Sequence, residues 1–163
     1  MTLENAEQTT IQSYKLVYTG DGTDTVPTAF PLGVTSGDLN LGLPQYGLVG
    51  SESKANRLCF LILADQAGTG SLLMTGACTG GCEEPICSLA LTAGTLVETG
   101  TNIWIDTAVL TSYHLAEDAI VLADSGNSHP VKLGFDNIGY QFLRFYTHTF
   151  VSITWLKIYA RYF

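Results

Sequence analysis

Apolar positions along this chain come in short runs that turn-forming residues interrupt often. Residues 57–64, Arg57-Leu58-Cys59-Phe60-Leu61-Ile62-Leu63-Ala64, are the clearest run. Its length is that of a strand, and unbroken rather than alternating apolarity predicts a strand covered on both faces. A turn cluster follows at 65–70, and Ser71-Leu72-Leu73-Met74-Thr75 then runs back, so 57–77 reads as a hairpin. Upstream, Tyr14-Lys15-Leu16-Val17-Tyr18 is a β-rich run closed by Gly20-Asp21-Gly22. The stretch 26–50 contains Pro27, Pro31 and Pro44 with several glycines, and reads as irregular loop with short strands.

Downstream, 87–91, 95–98 and 102–110 read as three short strands separated at Gly94 and Gly100. Residues 117–123 suit helix or strand, and the Asp124-Ser125-Gly126-Asn127 turn favours strand. Strands are expected at 131–135 and 140–146, then a turn at 147–149 with His148 at its tip, then a long last strand over 150–163. Within that last strand Val151, Ile153 and Trp155 share one face, after which the apolar set moves to Leu156, Ile158, Ala160 and Tyr162. A change of face inside one strand predicts a β-bulge or burial on both sides. The whole reads as all-β: a β-sandwich or jelly-roll-like fold of roughly eight to ten short antiparallel strands. Residues 1–12 form a polar N-terminal arm, and 13–163 a single β-sandwich domain.

Charge changes that picture most. Only 13% of the 163 residues are Asp, Glu, Lys or Arg, against roughly 25% in a typical soluble domain. The exterior must then be Thr, Ser, Gly, Asn, Gln and apolar groups, a surface that does not resist contact. This predicts a protomer with much of its surface in interfaces; a secreted, Thr- and Gly-rich β domain is the plainer alternative. The formal charge is −8 with seven Lys plus Arg in all, which argues against direct nucleic-acid binding and against an anionic membrane surface. The start, Met1-Thr2-Leu3-Glu4-Asn5-Ala6-Glu7, lacks the layout of a signal peptide.

Candidate chemistry is sparse. Cys78, Cys82 and Cys87 stand at C-x3-C-x4-C spacing. A structural zinc site wants paired Cys knuckles, often with His, and neither the second pair nor a nearby His is present. A disulfide pinning this loop, Cys78 or Cys82 with Cys87, is the leading reading, with free thiols the alternative. Cys59, inside the apolar run, reads as a buried small hydrophobe. His114, His129 and His148 occur in no metal or catalytic spacing. Asp21-Gly22-Thr23-Asp24 and Asp124-Ser125-Gly126-Asn127 look like calcium loops but lack the twelve-residue spacing, and the same residues are ordinary turn formers. With no G-x-S-x-G elbow and no phosphate loop, neither an enzyme nor a cofactor is expected. Aromatic residues concentrate near the C-terminus. Tyr140, Trp155, Tyr159, Tyr162 and Phe163 are candidate subunit anchors, because Tyr and Trp dominate interface hot spots; core packing and sugar stacking are the alternatives.

The segment Gly134-Phe135-Asp136-Asn137-Ile138-Gly139-Tyr140-Gln141-Phe142-Leu143-Arg144, followed by a last strand, resembles the closing segment of small tailed-bacteriophage virion proteins, which carry a G-Y-x-x-L-R strand before a terminal hairpin. The likeness covers about the last 35 residues. It implies a capsid decoration (cement) protein: a homo-oligomer, expected as a trimer, that is assembled in the host cytoplasm and sits on the capsid surface of the virion against the major capsid protein or another virion protein. A tail, head–tail or fibre-base component is the second expectation, and a lectin-like binding module the third.

Overall fold

The computed structural model describes residues 14–25, 39–40, 57–77, 83–98, 102–113, 120–123, 130–136, 140 and 142–162. Among these the chain is all strand, without a helix. In chain order the strands are β1 (Lys15–Gly20), β2 (Leu39–Asn40), β3 (Arg57–Ala64), β4 (Gly68–Ala77), β5 (Glu84–Val97), β6 (Ile103–Ser112), β7 (Ile120–Ala123), β8 (Lys132–Asp136), β9 (Phe142–Val151) and β10 (Leu156–Tyr162). Every strand pairing is antiparallel, and together the strands form one hydrogen-bonded sheet in the order β1-β10-β3-β6-β5-β4-β9-β2. β8 lies on β3, and β7 on β8.

The sheet curls on itself. Phe60 on β3 meets Phe145 on β9 edge to face, centroids 5.7 Å apart, although these strands share no hydrogen bonds. Opposite walls therefore pack across one core. Alternation puts Leu58, Phe60, Ile62 and Ala64 of β3, Leu72 and Met74 of β4, and Leu156, Ile158 and Ala160 of β10 into it. The seam between β1 and β9 is drawn shut just past β1, where Thr23 bridges His148 and the Asp24 N–H donates to the Thr147 carbonyl at 3.0 Å.

Side chains fix that seam. Asp24 Oδ2 accepts from Tyr18 Oη (2.5 Å), the Thr147 N–H (2.7 Å) and Thr147 Oγ1 (3.1 Å). Thr147 Oγ1 also accepts from the Gly22 N–H at 3.2 Å. Glycine is required here twice over. Gly22 has φ +77°, and a Cβ on it would lie 2.3 Å from the Phe150 ring; a Cβ on Gly20 would strike Thr147 Oγ1 at 2.1 Å.

Three local expectations are corrected. First, 57–77 is not a hairpin, because both edges of β3 are taken: β10 on one side, β8 and β6 in succession on the other. The 65–67 link is a corner that carries the chain from one wall to the other, where β4 pairs with β5 and β9. Second, Gly94 does not end a strand. β5 runs 14 residues and absorbs the glycine in register shifts between Thr92 and Val97. Third, 147–149 is not the turn. β9 continues to Val151 and His148 is a strand residue opposite Ser71. The break falls at 152–155, and it accounts for the change of apolar face that 150–163 shows as a sequence.

That break is held from the β3 corner. Asp65 accepts from the Thr154 N–H (2.9 Å), the Thr154 hydroxyl and the Trp155 N–H (3.3 Å), and Gln66 Nε2 donates to the Ser152 carbonyl. Thr149 and Ser152 are left-handed at φ 57° and 69°, strain of about 1–3 kcal/mol each that the surroundings must offset. Partial burial works against the Asp65 charge, but the Thr154 and Trp155 hydrogen bonds outweigh it and hold its carboxyl below the usual carboxylate range. A depressed folded-state pKa means that the stabilisation is complete above the unfolded value and is lost as pH falls through the folded one. Asp65→Ala is expected to lower stability by about 1 kcal/mol at neutral pH. Urea unfolding should show this difference shrinking as pH falls below about 4; a difference that does not change with pH contradicts the assignment.

Candidate interaction surface

The residues read from the sequence as candidates fall into separate places. Cys87 lies on β5 between Met74 and Ser112, wholly buried and with a free thiol. Burial pushes that thiol up to about 12. Cys78 and Cys82 lie outside the described residues, as do Phe163, His114, His129, residues 1–12 and the 124–127 loop. Cys59 is not the buried hydrophobe expected. It stands on the outer face of β3, half-buried, and its sulfur accepts from Tyr14 Oη at 3.3 Å. Burial, then that hydrogen bond, raises the Tyr14 phenol.

Of the aromatic candidates, Trp155 and Tyr159 share the outer side of the β1-β10-β3 wall. Leu156, Ile158 and Ala160 point inward at 0% exposure, so alternation turns Lys157, Tyr159 and Arg161 outward. Lys157 Nζ sits 4.5 Å above the Trp155 ring. Register sets Leu61 between Tyr159 and Lys132, and Leu63 between Lys157 and Trp104. Burial, then the Glu98 charge, raises the Tyr159 phenol. Tyr162 contributes its backbone opposite Leu58. Tyr140 is elsewhere. Its ring stacks on Phe135 at 6.4 Å and lies so close over Gly76 that a Cβ there would be 2.5 Å from Tyr140 Cδ1. Its hydroxyl donates to Glu84 at 2.5 Å. Tyr140 thus makes these contacts within the subunit.

A second outer surface has a different character. On β6, β5 and β4 the register aligns Thr107, Thr92 and Thr69 in one row, Val109, Ala90 and Ser71 in the next, and Thr111, Ser88 and Leu73 in a third. No Asp, Glu, Lys or Arg stands in these three rows. Val109 is 70% exposed, and Thr69, Ala90, Thr92, Thr107 and Thr111 are exposed beside it. This is a broad sheet surface whose side chains are small and uncharged.

Sequence reasoning missed the buried ionic cluster beside that surface. Glu83, 1% exposed, accepts from Arg144 Nη1 (2.7 Å), Tyr146 Oη (2.8 Å) and the Thr75 hydroxyl; Arg144 Nη1 also donates to Tyr146 Oη at 3.0 Å. Burial raises the Tyr146 phenol to about 12 despite the Arg144 hydrogen bond. Arg144 is the Arg of the G-Y-x-x-L-R segment, and its task here is to neutralise a carboxylate that anchors the start of β5 to β4 and β9. The signal in the sequence was one Arg set among Phe142, Leu143 and Phe145. The Asp21-Gly22-Thr23-Asp24 loop spends its carboxylates on protein donors: Asp21 Oδ1 accepts from the Thr23 N–H (3.0 Å) and hydroxyl (2.6 Å), and Asp24 serves the β1–β9 seam. Among the described residues no group of three or more His, Cys, Asp or Glu is placed to hold a metal ion.

Comparison of the chain with protein-family models, with curated proteins and with solved structures finds no match.

Two outcomes follow from this geometry. Arg144→Met strands the Glu83 charge and is expected to cost about 3–5 kcal/mol, whereas Arg144→Met with Glu83→Gln recovers most of the loss; urea unfolding of the three proteins measures both. The Cys87 thiol should resist iodoacetamide in the folded protein at pH 8 and react once the chain is unfolded, as peptide mass spectrometry can follow.

Proposed function

We propose that this chain is a structural protein of a virion, most specifically a capsid decoration protein, that acts by holding contacts rather than by turning over a substrate. The observation that carries this reading is the uncharged surface of β6, β5 and β4. Three adjacent rows carry no charged residue and expose Thr69, Ala90, Thr92, Thr107, Val109 and Thr111, with Val109 70% exposed and Leu73 buried at one end. Burying such a surface removes apolar area from water and requires no charge to be desolvated. The nearly closed sheet adds stiffness, since closure leaves few strand edges to open. A cement role uses both properties: a rigid unit, repeated many times, whose individually modest contacts are multiplied by valency on the particle.

The low overall charge, 13%, supports the same reading, as does the likeness of the 134–144 segment to virion proteins. The mechanism is mechanical. Each copy bridges neighbouring capsid subunits, and the sum of the bridges opposes outward pressure.

Stoichiometry tests this. Quantitative mass spectrometry of purified particles from the source culture should find the chain at hundreds of copies per particle. Thr92→Glu with Val109→Glu should remove it from particles while leaving its own melting temperature within a few degrees, because surface substitutions of this kind change stability by about 0.5 kcal/mol or less. A few copies per particle would instead make it a tail component, and absence from every particle would refute the reading.

A further inference from the structure

Most of the basic residues lie on one part of the molecule. β1, β10, β3 and β8 are neighbours in the sheet. They carry Lys15, Arg57, Lys132, Lys157 and Arg161, five of the seven basic residues, and one acid, Asp136: a formal +4. The other described residues have Arg144 against Asp21, Asp24, Asp65, Glu83, Glu84, Glu98 and Asp106, a formal −6, with Glu98 near enough to Tyr159 to act on its phenol, and the whole chain is −8. Lys15 and Arg161 are exposed, and Lys132 and Lys157 half-buried. Among them stand Leu16, 51% exposed and opposite Tyr159, and Trp155 beneath Lys157.

We propose that this basic, aromatic wall is the surface by which one copy of the chain grips the acidic body of the next, in a head-to-tail contact. The inference rests on the reading above that the protein assembles, and it says which surface does so and with what geometry. A two-fold contact of this wall with itself would set +4 against +4. A heterologous contact sets +4 against part of the −6 of the other described residues. Heterologous contacts close into rings when the rotation allows, and a cyclic trimer requires one. The composition of the wall fits as well: Leu16, Trp155 and Tyr159 supply a centre that can be dried, and Lys and Arg supply the rim that sets orientation and partner. This arrangement leaves the uncharged surface of β6, β5 and β4 free for a different partner.

The test is the oligomeric state of the full chain, followed by sedimentation velocity from 1 to 100 μM in 50 and 500 mM NaCl. Wild type should associate, and about tenfold more weakly at the higher salt, since exposed charge pairs are screened. Lys15→Glu with Lys157→Glu should weaken association at low salt by about tenfold or more, and Lys15→Gln with Lys157→Gln by less. Thr92→Glu should leave it unchanged. Circular dichroism checks that each variant is folded, and the salt response of wild type needs no variant at all. Association that ignores both salt and charge reversal, or that only Thr92→Glu abolishes, overturns this inference while leaving an assembling protein. A wild type that remains a monomer throughout overturns the inference together with the reading beneath it.

Discussion

The fold depends on closing the sheet between β1 and β9. β1 ladders only with β10, so without the contacts just past it one flank of the core would open beside Tyr18 and Phe145, whose rings lie 5.4 Å apart. A few polar groups achieve it. Asp24 gathers the Tyr18 hydroxyl and both donors of Thr147, while the backbone pair Asp24–Thr147 adds a ladder rung. Thr147 is fully buried, so each of these groups would be expensive to leave unpaired. The short residues around them have the same origin. Gly20 and Gly22 lie where the β1 end crosses Thr147 and Phe150 too closely for any side chain.

What could be read in advance follows from what alternation encodes. The 57–64 run announced a strand covered on both faces, and β3 is one: Phe60 and Ile62 face the core, while Leu61 and Leu63 are buried on the other side at 4% exposure each. All-β class was legible from such runs and the turns between them. Pairing was not. A turn after β3 looked like a hairpin because local sequence records that the chain bends, not which strand lies alongside afterwards. The neighbours of β3 all lie far along the chain, since Ala64 pairs with Ile103 of β6, Leu61 with Lys132 of β8 and Leu58 with Tyr162 of β10, and no local pattern holds that information.

The polar clusters illustrate the same boundary. Asp65 looked like an ordinary turn former, yet its carboxylate is spent on Thr154 and Trp155, some ninety residues away. Arg144 sat in a recognisable segment, but nothing near it in sequence named Glu83 as its partner. The aromatic candidates divided for a related reason. Composition picked out Tyr140, Trp155 and Tyr159 alike; only the fold shows that Tyr140 is engaged with Phe135, Gly76 and Glu84 while the other two stand on an outer wall.

Charge density and charge placement carry different messages. A chain with 13% charged residues has little with which to specify a partner by electrostatics. Scattering those few groups would leave them ineffective at physiological salt, where fields fade within about 8 Å. Gathering five of seven basic residues on four adjacent strands lets them act as one patch, as the proposed head-to-tail contact requires. The same chain can then carry two surfaces of different logic: one whose contacts are set by sign, and one, on β6, β5 and β4, where the absence of charge removes the desolvation penalty that a tight flat contact would otherwise incur. A subunit that must bind its own kind in one direction and a second partner in another needs the two surfaces not to compete, and segregating charge to one wall is a way to achieve that within a single small sheet.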